Sequence, residues 1–333
     1  MNMRNNSFFE NENYKMMNFE IINEHFFSTM DPRLRYIKQE KLGAGTYGMV
    51  FKAKDKTTGK IVAIKEMILD QEEEGVSSTT MREISILKKM NHPNIVSLVD
   101  TYVQGTQLTI VLEYLDMNIR DYMKKPVKMD PKLVKSYAFQ LLAGTYYLHT
   151  HRVIHRDIKP DNLLINHDGY LKICDFGLSR FFTIPIQQYT ENIVTLWYRP
   201  PEILLHNPIY EISADIWSVG CVIAEIATKT PLFPGDSILD QIHRIFSVLG
   251  TPNEEMCKFF KDVKDELVII PTYPPKDLSD VIKVNDLSLI DLISKLITVD
   301  PRKRLTAREA LHHPYFNDIP ESMKSKFCPG EFQ

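Results

Sequence analysis

The sequence predicts an α+β fold in two lobes, a small β-rich lobe followed by a larger helical one. Three observations predict it. The chain has 333 residues, more than one hydrophobic core usually serves. Short β-rich runs broken by turn residues cluster between Tyr36 and about Leu115. Beyond that point capped helical patterns dominate. The implied boundaries are an N-terminal extension over residues 1–34, a first lobe over 35–115, a second over 116–317 and a C-terminal tail over 318–333.

Taken in order, the extension is rich in Asn, Phe and Glu and has no Gly, a composition that reads as disordered or loosely docked. A short docking helix with Phe19, Ile22 and Phe26 on one face is the alternative, and Met16, Met17 or Met30 are alternative starts. Val50–Ala53 and Ile61–Lys65 are strand runs separated by the turn signal Thr58-Gly59. Thr79 to Met90 reads as a helix. Asp130-Pro131 is an N-cap with Pro at the first helical position, and Leu133, Val134, Tyr137, Leu141 and Leu148 follow on one face. Ser213–Thr228 is apolar nearly all round, as in a buried helix. Thr306 and Glu309 form a capping box for a last helix ending before Pro314.

Composition sets outer limits. The chain is 44% hydrophobic and 25% charged with a formal charge of −3, so bulk attraction to nucleic acid is not expected. Cys174, Cys221, Cys257 and Cys328 are far apart and form no CxxC pair. The expectation is reduced thiols, no zinc site and an intracellular protein of nucleus or cytoplasm. No apolar run approaches a membrane span, and Glu10, Glu12 and Glu20 interrupt any signal-peptide pattern.

The polar motifs carry the chemistry. Gly43-Ala44-Gly45-Thr46-Tyr47-Gly48 has the spacing G-x-G-x-x-G and runs into a strand, not a helix. That context suits a hairpin lid whose N–H groups approach phosphates, although the spacing alone equally describes a tight turn. Glu83, Ile86, Leu87 and Met90 fall on one helical face. A carboxylate turned inward needs a cation, and Lys65 is the natural one; a Glu snorkelling from the edge of the stripe is the plainer reading. In the segment from Val153 to Gly177, Asp168-Gly169 signals a two-residue hairpin turn. Counted outward from that turn without a bulge, Asn162 falls opposite Asp175. A side-chain carbonyl beside a carboxylate suits a hard cation such as Mg²⁺. Asp157 enters the hairpin and is placed to accept or orient a hydroxyl proton.

The set His155-Arg156-Asp157 with Lys159-Pro160 and Asn162, then Asp175-Phe176-Gly177, the glycine loop, and Val62-Ala63-Ile64-Lys65, resembles the eukaryotic-type protein kinases over about Tyr36 to Phe316. The resemblance implies a bilobal protein-kinase fold using ATP and Mg²⁺ in its cleft. By it, Lys65 holds the α- and β-phosphates and pairs with Glu83, Asn162 and Asp175 hold the metal, Asp157 is the base, and Lys159 steadies the γ-phosphate in the serine/threonine form. The likeness also gives a nucleotide site from Leu42, Gly43, Gly45, Gly48, Val50, Ala63, Leu112, Glu113, Leu115, Asn118 and Leu164, with backbone groups of Glu113 and Leu115 pairing with adenine.

Within that family the chain resembles the cyclin-dependent kinases. Ser77–Glu83 is similar to their cyclin-gripping helix, departing at Ser77, Thr80 and Met81. Thr190 matches their activating phosphorylation site, which implies an activating kinase, with Arg82, Arg156 and Arg180 as phosphate partners. Thr46 and Tyr47 match an inhibitory phosphorylation pair. Val194 and Arg199 match residues that favour proline after the target Ser or Thr, so Ser/Thr-Pro protein substrates are implied. The likeness also pairs Glu202 with Arg304 and makes Asp215 a brace for the catalytic loop. Asn192 stands where mitogen-activated kinases carry a second phosphoacceptor, and Leu196 where they carry Arg. A cyclin-independent or mitogen-activated type, or a silent pseudokinase scaffold, are the alternatives.

Overall fold

The computed structural model describes residues 32–45, 48–68, 78–176, 179–181, 196–205, 212–253 and 271–332. The chain divides into two units, one running to Lys89 and including Ser97–Tyr114, the other formed by Met90–Val96 and everything from Leu115 onward.

In the first unit a one-turn helix, Pro32–Arg35, leads into β1 (Tyr36–Gly45), β2 (Gly48–Asp55), β3 (Ile61–Ile68), the helix Ser78–Lys89, β4 (Leu98–Gln104) and β5 (Gln107–Glu113). The strands form one antiparallel sheet in the order β1-β2-β3-β5-β4. Period-2 alternation separates its two faces. Val62 and Ile64 of β3 join Tyr36, Ala53 and Val111 in one cluster, while Met67 joins Leu108, Ile110 and Ile84 in another. Ile84 comes from the helix, whose Glu83, Ile86 and Leu87 are also buried while Ser85 and Lys88 are exposed. Arg35, at the entrance to the sheet, bonds Asp55 at 2.9 Å and Asp100 at 3.4 Å.

The second unit is mainly helical. Its small strands are β6 (Met117–Asn118), β7 (Val153–Ile154), β8 (Leu163–Ile165), β9 (Leu171–Ile173) and β10 (Arg180–Phe181). The helix Pro131–Thr150 starts as its sequence requires: Asp130 accepts from the Lys132 N–H at 2.9 Å and Pro131 occupies the first helical position. Ser213–Thr228 is buried continuously from Ala214 to Ile226 and ends on Lys229 in the left-handed conformation, φ 59°. A Cβ at Gly220 would meet Ile297 Cγ2 at 2.6 Å, so glycine is what lets this helix approach the turn after Leu287–Leu296. The Thr306–Glu309 capping box is present in full. No helix among the described residues is long and apolar enough to cross a membrane.

The expected last helix is not the last. Glu321–Phe327 forms another, with Phe327 and Cys328 buried and the Phe332 ring 6.1 Å from that of Phe139. Met323 and Phe327, four apart, carry the helical period here, but no motif marks the segment.

The Phe327 carbonyl accepts from His92 Nε2 at 2.7 Å. That bond fixes the tautomer, because a carbonyl only accepts, and Nδ1 then accepts from the Asn94 N–H at 3.1 Å. Burial disfavours the charged ring and pulls its pKa down to about 4, partly offset by the Phe327 bond. The unfolded chain therefore binds the proton more tightly. The stability from neutral His92 is complete above the ordinary value of 6.5 and is lost as pH falls toward 4. Urea unfolding at about pH 7 and about pH 5 should show a smaller acid loss in His92→Gln than in wild type; equal losses contradict this assignment.

Candidate active site

The first unit supplies phosphate-type groups. β1 and β2 form the glycine hairpin with Gly43 opposite Val50 and Gly45 opposite Gly48. Gly48 is irreplaceable on geometric grounds: its φ is 155°, and a Cβ would lie 1.9 Å from the Glu66 carbonyl oxygen. Lys65 Nζ donates to both Glu83 carboxylate oxygens at 2.9 Å. The Glu83 side chain is only 5% exposed, against 20% for Lys65. The carboxylate is thus fixed from inside while the ammonium keeps one side toward solvent.

The other nucleotide candidates of this unit lie on the same strands. Val50, Ala63 and Leu112 are half-buried, and Leu42 is 44% exposed. Glu113 donates its N–H to the Ser97 carbonyl at 3.0 Å, and its Oε1 accepts from the Ser97 N–H at 2.6 Å. The Glu113 N–H is therefore committed to Ser97.

In the second unit Leu115 is buried and Leu164 half-buried. Asn118 caps the helix Ile119–Met123, accepting from the Asp121 N–H and donating to the Asp121 carboxylate. That cap accounts for an asparagine here with no ligand required.

The catalytic segment belongs wholly to the second unit. Asp157 Oδ2 accepts from Lys159 Nζ at 2.7 Å and from Asn162 Nδ2 at 2.8 Å. Asn162 Nδ2 also donates to the Asp157 carbonyl at 2.9 Å. The amide nitrogen is thereby spent on Asp157, so the Asn162 oxygen is the end available to a cation.

The hairpin register differs by one residue from the expected one. Leu163 pairs with Ile173, Leu164 with Lys172 and Ile165 with Leu171, and the Cys174 N–H donates to the Asn162 carbonyl at 3.0 Å. Asn162 thus faces Cys174, not Asp175. The connection is a three-residue loop, His167–Gly169, with Gly169 at φ 81°. Asn166 closes it: its N–H donates to the Tyr170 carbonyl, and its Oδ1 accepts from the Tyr170 N–H. Such a loop carries one more residue than the two-residue turn that Asp-Gly suggests. Asp175 then leaves the strand altogether at φ 63°, with an exposed side chain, so strand alternation no longer sets its direction.

Arg156 is held at φ 73°. Left-handed backbone at a non-glycine costs about 1–3 kcal/mol and persists only where the surroundings enforce it. Asp215 does so for Arg156: its carboxylate accepts from the His155 and Arg156 N–H groups at 2.9 and 2.8 Å and contacts His149 Nε2 at 3.0 Å. Burial works to raise the Asp215 pKa, but these bonds and the nearby histidines hold it below the usual carboxylate range. Phe176 is fully buried, its ring 5.0 Å from that of His155.

Farther out, Arg304 Nη1 and Nη2 grip the Glu202 carboxylate at 2.6 and 2.7 Å. A second ion cluster, Arg120 with Asp161, Tyr198 and Glu225, had no motif to announce it. One signal was present in the sequence: Glu225, like Asp215, is a carboxylate inside a largely apolar helix, the same sign that pointed to a partner for Glu83.

Several expected positions lie outside the described residues: Thr46, Tyr47, Ser77, Gly177, Thr190, Asn192 and Val194, together with the side chains of Arg82 and Arg180.

A glycine hairpin, a buried lysine–glutamate pair and a braced Asp157–Lys159–Asn162 cluster define the equipment of a phosphotransferase. The protein kinase domain model matches residues 36–316, and the chain belongs to the protein kinase family. It is thus a transferase that moves a phosphoryl group to protein substrates, and its domain implies ATP as donor, usually with Mg²⁺.

Proposed function

We propose that this kinase phosphorylates Ser or Thr followed by Pro, under control of a cyclin-like subunit bound through residues 77–83 and a phosphate at Thr190. The observation that carries the chemical part is the Asp157 cluster. Both donors, Lys159 and Asn162, use Oδ2, which leaves Oδ1 to accept the proton of an incoming hydroxyl. Lys159 adds positive charge beside the acceptor, where negative charge spreads over the transferred group. Lysine at this place is the serine/threonine form by family likeness. Lys65, oriented by Glu83, binds the donor's phosphates.

The oxygens of Asn162 and Asp175 are hard donors that fit Mg²⁺. When bound, the ion supplies charge neutralisation at the phosphate oxygens. The remaining work of the chain is positioning, which suits a segment locked by Asp215.

Proline selection and cyclin control rest on the likeness at Val194, Arg199 and residues 77–83, and on Asn192 and Leu196, which separate the chain from the mitogen-activated type. A matched pair of peptides, Ser-Pro and Ser-Ala, tests this with and without a cyclin. Transfer should favour Ser-Pro at least roughly tenfold, depend on the cyclin, and fall by about 10²-fold or more in Lys65→Met with folding intact. Equal use of both peptides, or full activity of the lone chain, contradicts the finer reading. Undiminished transfer by Lys65→Met contradicts the assigned role of the pair.

A further inference from the structure

Arg120 sits at the centre of the ion cluster noted above. Its Nη1 meets Glu225 Oε1 at 2.5 Å, its Nε and Nη2 meet Asp161 Oδ2 at 3.3 and 3.2 Å, and its Nη2 meets the Tyr198 hydroxyl oxygen at 2.6 Å. Tyr198 in turn donates to Glu225 Oε2 at 2.5 Å. One guanidinium thus occupies a pocket made by two carboxylates and a phenol. Glu225 is the floor, 1% exposed, and Asp161 the rim, 46% exposed; Arg120, at 20%, is reached from solvent.

The location matters as much as the charge. Asp161 lies between Lys159 and Asn162 of the catalytic loop, four residues from Asp157. Four residues of chain span at most about 14 Å, so a substrate side chain within about four residues of the acceptor can reach this pocket. Tyr198 ends the short 3₁₀ turn Leu196–Tyr198. That turn lies between Val194 and Arg199 in the sequence, the two residues matched above to a preference for proline after the target.

We propose that Arg120 determines substrate specificity by occupying this acidic pocket from within, so that a basic side chain of the substrate finds no carboxylate free to receive it. The inference rests on the kinase reading and deepens it. The guanidinium fork matches the two carboxylates as an arginine of a bound peptide would. With Arg120 in place the cluster holds one positive side chain against two acidic ones, and the guanidinium contacts both carboxylates directly. Without Arg120 the same pocket opens to solvent beside the catalytic loop with both carboxylates unneutralised. Exclusion of a competing charge is a common route to specificity.

The test is a panel of Ser-Pro peptides in which a single Arg replaces Ala at each of about four positions on either side of the acceptor, within the reach argued above. The ratio of kcat/KM for Arg over Ala is measured at each position. Arg120→Ala should raise that ratio about tenfold or more at one or two positions relative to wild type, mainly through KM. Arg120→Lys, which keeps the charge, should leave the wild-type ratios. Adding Glu225→Gln to Arg120→Ala should remove the gain.

Because Arg120→Ala uncovers a buried carboxylate and could fail to fold, Glu225→Gln alone supplies an independent reading. It keeps the side chain's size and leaves Arg120 balanced by Asp161 alone, so the ratio for Glu over Ala should rise above that of wild type at the same positions. Unmoved ratios in the folded variants, including a uniform loss of activity with no change in preference, overturn the inference alone. No transfer by wild type to any peptide overturns the kinase reading and the inference with it.

Discussion

Asp157→Asn should lower kcat by about 10²–10⁴-fold while leaving ATP affinity within a few-fold of wild type. The substitution is nearly isosteric, and the site is built to hold that shape. Lys159 and Asn162 both donate to Asp157 Oδ2, and Asn162 donates again to its carbonyl. An asparagine that keeps its oxygen toward those two donors presents an NH₂ group where the hydroxyl of the substrate needs an acceptor. One that flips leaves two donors facing an NH₂. Either way the carboxylate that takes up the proton is lost, while the Lys65–Glu83 pair is unchanged in sequence and bonding. Single-turnover transfer with saturating ATP, beside a nucleotide-binding titration, checks both parts. A fall of less than tenfold contradicts the assignment of Asp157 as base.

Glu202→Ala should destabilise the second unit by about 3–5 kcal/mol, because it leaves the Arg304 guanidinium buried without its counter-charge. The Arg304 side chain is 0% exposed and the Glu202 side chain 5%. Arg304 also donates to the carbonyls of Thr298, Ser213 and Val299 and lies 5.0 Å from the Trp217 ring. Those contacts pin the guanidinium, so it cannot relax toward water when the carboxylate is gone. The expected result is a fall in Tm of roughly 10 °C. Replacing both partners, Glu202→Leu with Arg304→Met, should cost less than the sum of the single changes, since no charge stays buried. Thermal unfolding of wild type, Glu202→Ala, Glu202→Leu, Arg304→Met and the double variant checks this; a Glu202→Ala variant as stable as wild type contradicts it.

Much of this architecture was legible because local patterns and the final packing agree. The Pro131 start, the buried Ser213–Thr228 helix and the Thr306 capping box each follow from a few residues. The Lys65–Glu83 pair was legible because a carboxylate on an apolar stripe demands a partner. The hairpin was legible, but its register was not: Asp168-Gly169 suggests a two-residue turn, while Asn166 bonds across to Tyr170 and makes the loop three residues long. A side chain outside the turn decided the count. The Arg120 cluster was hidden for another reason. Its members are dispersed along the sequence, and only tertiary folding assembles them. The Glu321–Phe327 helix likewise owes its place to contacts with distant residues, such as His92 with the Phe327 carbonyl and Tyr170 with the Phe327 ring.

The most direct test is transfer of labelled γ-phosphate from ATP to a Ser-Pro peptide by the full chain with a cyclin bound. The proposed chemistry predicts label on the serine, abolished by chelating divalent cations and by Asp157→Asn. A folded protein that binds ATP yet transfers no label to any peptide, with any cyclin, would contradict it.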